Sequence, residues 1–219
     1  MTRTSEQLSP DLHAYLVAHS TPVDGVLTAL ADETARRYPQ DQGLQIGPEQ
    51  GTFMTLLTRL SGARRALEVG TFTGYSSICI ARGLADDGQL ICCDISEEWT
   101  SLAREYWAKA GLADRVELRL GPALGTLRAL PAEAVFDLAF IDADKPGYTG
   151  YWDEIVPRMR PGGVILVDNT FSHGRVIDPA ERGEVVQAIR DFNDHAVADA
   201  RVDLVMLPVG DGLTLARKR

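Results

Sequence analysis

Along the first sixty positions, apolar residues recur at the three-to-four spacing of a helix face. Leu12, Tyr15, Leu16 and His19 form one stripe, Val26, Leu27 and Leu30 a second, and Phe53, Leu56, Leu57 and Leu60 a third. The pattern predicts a helical segment from about Ser5 to Leu60, interrupted around Tyr38–Gly43, where proline and glycine punctuate the chain. After Arg65 the texture changes to short apolar runs separated by amphipathic stretches. Ala66–Val69, Leu90–Cys93, Val116–Leu120, Phe136–Ile141 and Val164–Val167 read as strands, and their alternation with helices predicts a parallel sheet covered on both faces.

The stretch after Ser96 shows how well the signals agree. Trp99, Leu102, Ala103, Tyr106 and Ala110 share one stripe, Ser96 is a capping residue, Glu97 and Glu98 sit in the first turn, and Gly111 closes the helix. Near the end, Val202–Leu207 and Leu213–Ala216 flank Pro208–Gly212, the pattern of an antiparallel pair at a sheet edge. No repeat or linker divides the chain. It is expected to be one domain over 1–219, with a helical N-terminal segment at 1–60 and an α/β core at 61–219.

Composition narrows the function. The 219 residues, 45% of them hydrophobic and 24% charged, suit one globular domain with a sizeable core. A formal charge of -9 argues against a nucleic-acid partner, which demands clustered Lys and Arg. Cys79, Cys92 and Cys93 lack metal-site or redox spacing and are expected to be reduced core residues of a cytoplasmic protein. Thr2–Gln7 is polar, with no basic-then-apolar signal pattern, and no apolar run approaches the ~18 residues of a membrane span. A cytoplasmic location without a membrane partner is therefore expected.

Chemistry concentrates at the strand ends. Glu68-Val69-Gly70-Thr71-Phe72-Thr73-Gly74-Tyr75-Ser76 follows the first predicted strand and opens a helix, so Gly70 and Gly74 fall where backbone approaches a ligand in open α/β sheets. Asp94 ends the second strand, where a carboxylate can accept hydrogen bonds from both hydroxyls of a ribose. The loop lacks the third glycine with which dinucleotide folds seat a pyrophosphate, so a nucleoside cofactor without phosphate fits better than NAD. S-adenosylmethionine is such a cofactor. Its adenine suits the turn at Gly121-Pro122-Ala123, and Glu68, an acid inside an apolar strand, would act indirectly by orienting the loop or the amino-acid tail. The rival reading is a nicotinamide-dependent oxidoreductase.

The fourth strand ends in Asp142-Ala143-Asp144-Lys145 and the fifth in Asp168-Asn169, on the same edge as the loop. Asp142, Asp168 and Asn169 offer only oxygen ligands, the preference of a hard divalent cation such as Mg²⁺. Two acid-tipped apolar strands in one crevice also call for a cation to compensate their charge.

These segments, together with Leu44-Gln45-Ile46-Gly47-Pro48-Glu49-Gln50-Gly51, Phe136–Lys145, Val167-Asp168-Asn169-Thr170 and Asp211-Gly212-Leu213-Thr214, resemble the metal-dependent O-methyltransferases that include catechol and caffeoyl-CoA O-methyltransferases. The likeness covers nearly the whole chain. It implies a Rossmann-like doubly wound sheet of seven strands, mostly parallel with the last antiparallel. It also implies an S-adenosylmethionine site lined by Ile46, Glu68, Gly70, Thr71, Ser76, Asp94, Ala123 and Asp142. Asp142, Asp168 and Asn169 would bind the metal, Lys145 would be the general base, and the partners would be a small vicinal diol and a second copy of the chain packed through the N-terminal helices.

Two departures bear on the acceptor. Ser172 stands where bacterial relatives often carry Trp, and Asp144 where the animal catechol enzyme has an aromatic wall, which makes the acceptor pocket wider or more polar. Arg36-Arg37 and Arg64-Arg65 are candidates to meet a CoA ester, although free catechols are the preferred acceptors. His173 follows the acidic tip and is a candidate for shaping the pocket. Trp99, Tyr106 and Trp107 are expected to serve core or subunit packing.

Overall fold

The computed structural model describes residues 8–219, so the polar Thr2–Gln7 stretch and the first positions of the predicted helical segment lie outside the described residues. The segment that follows is three helices, α1 (Pro10–Ala18), α2 (Gly25–Arg37) and α3 (Pro48–Ser61). The predicted interruption near Tyr38 is present, and a second break falls at Ser20–Asp24. There Pro22 supplies no N–H, and the Asp24 carboxylate restarts the chain by accepting the amides of Val26 and Leu27 at 3.1 and 3.0 Å.

Of the three predicted stripes, that of α2 packs as expected, burying Leu27 and Leu30. The stripe of α1 does not enter the core: Leu12 and Tyr15 are exposed. In α3 the buried face is Gln50, Gly51, Met54 and Thr58, while Leu56 and Leu60 face outward. Gly51 is needed on that face because α3 lies close against the next helix; a Cβ there would come within 2.9 Å of the Tyr75 ring.

The core contains strands β1 (Arg65–Val69), β2 (Gln89–Asp94), β3 (Val116–Leu120), β4 (Phe136–Ile141), β5 (Met159–Val167), β6 (Val202–Leu207) and β7 (Leu213–Lys218). Helices α4 (Tyr75–Gly83), α5 (Glu97–Lys109), α6 (Ala123–Ala129), α7 (Tyr148–Ile155) and α8 (Glu184–Ala198) connect them. The seven strands lie in the order β3-β2-β1-β4-β5-β7-β6, and β7 runs antiparallel to both its neighbours. β5 begins five residues before the predicted run, because Pro161, Gly162 and Gly163 form an irregularity that shifts its register against β4 between Phe136 and Leu138.

Alternation along the strands sends side chains to opposite faces. Ala66, Leu138, Phe140 and Leu166 pack against α2 to α5, and Leu67, Val69, Ala139, Ile141 and Ile165 against α6 to α8. On the second face Tyr148 and Trp152 meet Phe192 edge-on at 5.5 and 5.7 Å. The Ser96 cap of α5 accepts the Trp99 amide at 3.2 Å, and Gly111 takes a left-handed φ of 70° just beyond the helix. The strand order reverses between β1 and β4, so a crevice opens beyond their carboxyl ends.

At the opposite end of those two strands, Asp137 ties β4 to the start of β1. Its Oδ2 accepts the amides of Arg64 and Arg65 at 2.7 and 2.8 Å, and its Oδ1 accepts from the Arg160 guanidinium. Burial alone would raise its pKa, but Arg160 and the two amides outweigh that and hold it below the usual value. A depressed carboxylate stabilises the fold above its unfolded pKa, and that contribution is lost as pH falls through the folded one. Asp137→Asn is expected to cost about 1–3 kcal/mol at pH 7, with the deficit shrinking toward pH 3, as measured by urea titration at both pH values.

Candidate active site

A cavity of about 980 Å³ occupies the crevice, at the upper end of the range for ligand pockets and roomy enough for two small molecules. Its floor is the turn from β1 into α4. Gly70 has a φ of 90°, and a Cβ there would sit 1.9 Å from the carbonyl oxygen of Asp142. The Asp142 amide in turn donates to the Val69 carbonyl at 2.8 Å. Gly70 is therefore required by the neighbouring strand tip. Gly74 also has a left-handed φ, of 91°, but a Cβ there would meet Ala103 of α5 at 2.8 Å, so that glycine serves helix packing and not ligand approach.

Asp94 fixes the loop. Its Oδ2 accepts the amides of Thr71 and Phe72 at 2.9 and 2.8 Å, and its Oδ1 accepts the Ser96 amide at 2.8 Å. Ile46, Gly70, Thr71, Ser76, Asp94, Ala123 and Asp142 all line the cavity, as the resemblance implied. Glu68 does not. Strand parity turns its side chain toward α4, where it is completely buried; Oε1 accepts the Ser76 hydroxyl at 2.6 Å and Oε2 lies 3.2 Å from Cys92 Sγ. It stands behind the wall and positions Ser76, a correction to its place in the lining.

The acidic tips meet on the far side of Gly70. Lys145 Nζ donates to Asp142 Oδ1 at 2.9 Å, to Asn169 Oδ1 at 2.5 Å and to the Tyr148 hydroxyl at 2.6 Å. Asn169 reaches this position from a left-handed φ of 57°. Asp168 is adjacent but turned aside, its Oδ2 accepting from Gln50 at 2.8 Å and its Oδ1 from the Asn169 amide at 2.7 Å. Burial, then the negative charge of Asp142, push the Asp168 carboxyl well above the usual range. Lys145 thus supplies part of the compensating charge that the sequence demanded. Among the described residues no three His, Cys, Asp or Glu side chains form a metal cluster. The candidate set needs the amide oxygen of Asn169, and one oxygen each of Asp142 and Asn169 already holds a cationic group, so the donor chemistry fits a hard cation.

Several wall residues were not legible as such in the sequence. Trp99 lines the cavity with its ring edge-on to Phe72 at 5.1 Å, so it belongs to the site and not simply to packing, whereas Tyr106 and Trp107 are buried, bonded to the Ala29 carbonyl and the Ser77 hydroxyl. Gln50 and Tyr148 complete the polar node; Gln50 lay inside a quoted motif without a role. Ser172 and His173 line the far wall, both at left-handed φ. Asp144 also lines it, but its carboxylate is occupied by the Gly147 amide and the Tyr151 hydroxyl. Arg36 and Arg37 pair with Glu33, and Arg64 with Asp87 at the amino end of β1, remote from the cavity. They are not placed to meet an acceptor there.

A doubly wound sheet with a glycine turn after β1, an acid after β2 and a polar node across the switch point defines a Rossmann-like methyltransferase. The profile of the O-methyltransferase family matches residues 17–219. Caffeoyl-CoA O-methyltransferase 2 of Zea mays is 35% identical over 96% of this chain and 83% of its own length. Catechol O-methyltransferase domain-containing protein 1 of Mus musculus is 36% identical over 99% of this chain and 85% of its own. The crystal structure of the Bacillus cereus O-methyltransferase in complex with S-adenosylhomocysteine superposes with a TM-score of 0.87 at 34% identity, covering 95% of this chain and 97% of that one. The chain belongs to this O-methyltransferase family and is an S-adenosylmethionine-dependent enzyme, which sets aside the oxidoreductase reading.

Burial raises the Glu68 pKa to about 8, against the opposing hydrogen bonds of Ser76 and Cys92. Between its unfolded pKa of ~4.3 and this value the folded state keeps a proton that the unfolded state has lost, so stability falls as pH rises through that window. Glu68→Gln is expected to flatten the melting temperature between pH 5 and pH 8 and to gain on the wild type at pH 8, in thermal melts followed by circular dichroism.

Proposed function

We propose that the enzyme transfers the methyl group of S-adenosylmethionine to one hydroxyl of a catechol-like vicinal diol on a small molecule, in a divalent-metal-dependent reaction with Mg²⁺ as the expected ion. The observation that carries this reading is the convergence of Lys145, Asp142 and Asn169 in the same cavity as the Gly70–Ser76 loop. Asp94 would accept the ribose hydroxyls, Ala123 and its turn would border the adenine, and Ile46, Thr71 and Ser76 would enclose the amino-acid end. Asp142, Asp168 and Asn169 would hold the metal, which when bound lowers the pKa of a coordinated hydroxyl.

The chain's own part is to position and deprotonate. As the neutral amine, Lys145 Nζ takes the proton of the diol hydroxyl, and Tyr148 and Asn169 fix the nitrogen where that proton is delivered. The oxygen then forms its bond to the methyl carbon as the carbon–sulfur bond breaks and its electron pair returns to sulfur, which leaves as a neutral thioether. Holding oxygen, carbon and sulfur in line is worth orders of magnitude in rate. Val185 and Ile189 give the acceptor ring an apolar wall.

A cytoplasmic homodimer is part of this reading. The three cysteines are free and buried, and Leu12 and Tyr15 of α1 with Leu56 and Leu60 of α3 leave apolar surface on the N-terminal helices. The maize relative's name favours a CoA-ester acceptor as the second reading.

Mass spectrometry with S-adenosylmethionine, Mg²⁺ and a panel of diols is expected to show monomethylated product, lost after EDTA treatment and restored by Mg²⁺. Lys145→Ala should lower kcat by about 10²–10⁴-fold while S-adenosylmethionine binding persists, and Asp142→Ala should abolish turnover with some cofactor binding left. Full activity after EDTA would sink the metal-dependent scheme.

A further inference from the structure

Five aspartates line the cavity, Asp94, Asp142, Asp144, Asp168 and Asp211, against Lys145, Arg175 and His173, the last of which faces Asp211. Lys145 is paired with Asp142. Arg175, an exposed residue of the lining, has no carboxylate partner among the described residues; its side-chain bonds go to Ser172 alone, Nε to the carbonyl oxygen at 3.0 Å and Nη2 to the hydroxyl at 3.1 Å.

Those two bonds use one edge of the guanidinium and leave the Nη1–Nη2 edge, with its parallel N–H groups, available to a carboxylate. The group is held in advance. Ser172 is buried at a φ of 49°, and the Arg175 carbonyl accepts from Arg190 at 3.0 Å. Arg190 spends its other donors on the carbonyls of Val176, Asp178 and Glu181, with no acid to neutralise, and so pins the whole turn. That turn starts at Asn169, whose side chain touches Lys145, and it reaches Arg175; the apolar Val185 and Ile189 line the same cavity. A cavity walled by acids repels an anionic acceptor unless a fixed cation receives it.

We propose that Arg175 is a specificity-determining residue that binds a carboxylate carried by the acceptor, so that the preferred substrates are anionic diols and not neutral ones. This rests on the diol reading above. The ring lies between its two anchors, hydroxyls toward Lys145 and carboxylate toward Arg175, with Val185 and Ile189 along its face.

The test compares 3,4-dihydroxybenzoate, its neutral methyl ester and a caffeoyl-CoA thioester on the wild type, Arg175→Gln and Arg175→Lys. The wild type should prefer the free acid to the ester, and Arg175→Gln should lower kcat/KM for the acid about 10- to 100-fold while changing that for the ester less than about twofold. Arg175→Lys should recover part of the loss. Equal effects on acid and ester, or an effect confined to the thioester, would overturn the proposal. Calorimetric binding of 3,4-dihydroxybenzoate to the wild type and Arg175→Gln, with S-adenosylhomocysteine present, reads the same contact without turnover. If no diol is methylated the function fails by itself, whereas unchanged binding in Arg175→Gln defeats the role of Arg175.

Discussion

Everything in the site depends on how closely the tip of β4 is allowed to approach the turn after β1. Gly70 has no Cβ, and the Asp142 carbonyl occupies the space one would fill, 1.9 Å from its ideal position. A left-handed φ at Gly70 turns the chain under the ligand while its amide bonds to the Cys93 carbonyl, so three strand tips are drawn together at one glycine. The cofactor loop and the acidic node are consequently neighbours. Methyl donor and acceptor oxygen can meet because the sheet's switch point has been closed to backbone contact.

Around that contact the enzyme arranges carboxylates with different fates. Asp94 is fixed by three backbone amides and holds the loop, while Asp142 is matched by Lys145. Asp168 is buried with a single side-chain donor, Gln50, and carries the least compensated charge of the three. Glu68, wholly buried, keeps its proton near neutrality and acts as a polar strut for Ser76. These four acids thus differ in burial and in which donors reach them.

The strands, the glycine turn and both acidic tips were readable because buried parallel strands leave near-continuous apolar runs and because ligand chemistry collects at their carboxyl ends. Lys145 came from family likeness. Gln50 could not be paired with Asp168 by spacing, since 118 positions separate them and only the tertiary fold brings α3 to the end of β5. Trp99 sat on a helical stripe that reads as core, yet from the first turn of α5 its ring lines the cavity. The outward Leu56 and Leu60 mark the opposite failure: an apolar stripe at helical spacing need not face the chain's own core.

The most direct measurement is the affinity of S-adenosylmethionine for Gly70→Ala, with Gly111→Ala as the control, both verified as folded by circular dichroism. Gly111 shares the left-handed φ but has no neighbour within 4 Å of an added Cβ, so it bears the strain of about 1–2 kcal/mol without the clash. By calorimetry, Gly70→Ala should bind the cofactor at least about tenfold more weakly, and Gly111→Ala should bind it as the wild type does. A folded Gly70→Ala enzyme with wild-type affinity and turnover would contradict the claim that this contact builds the site.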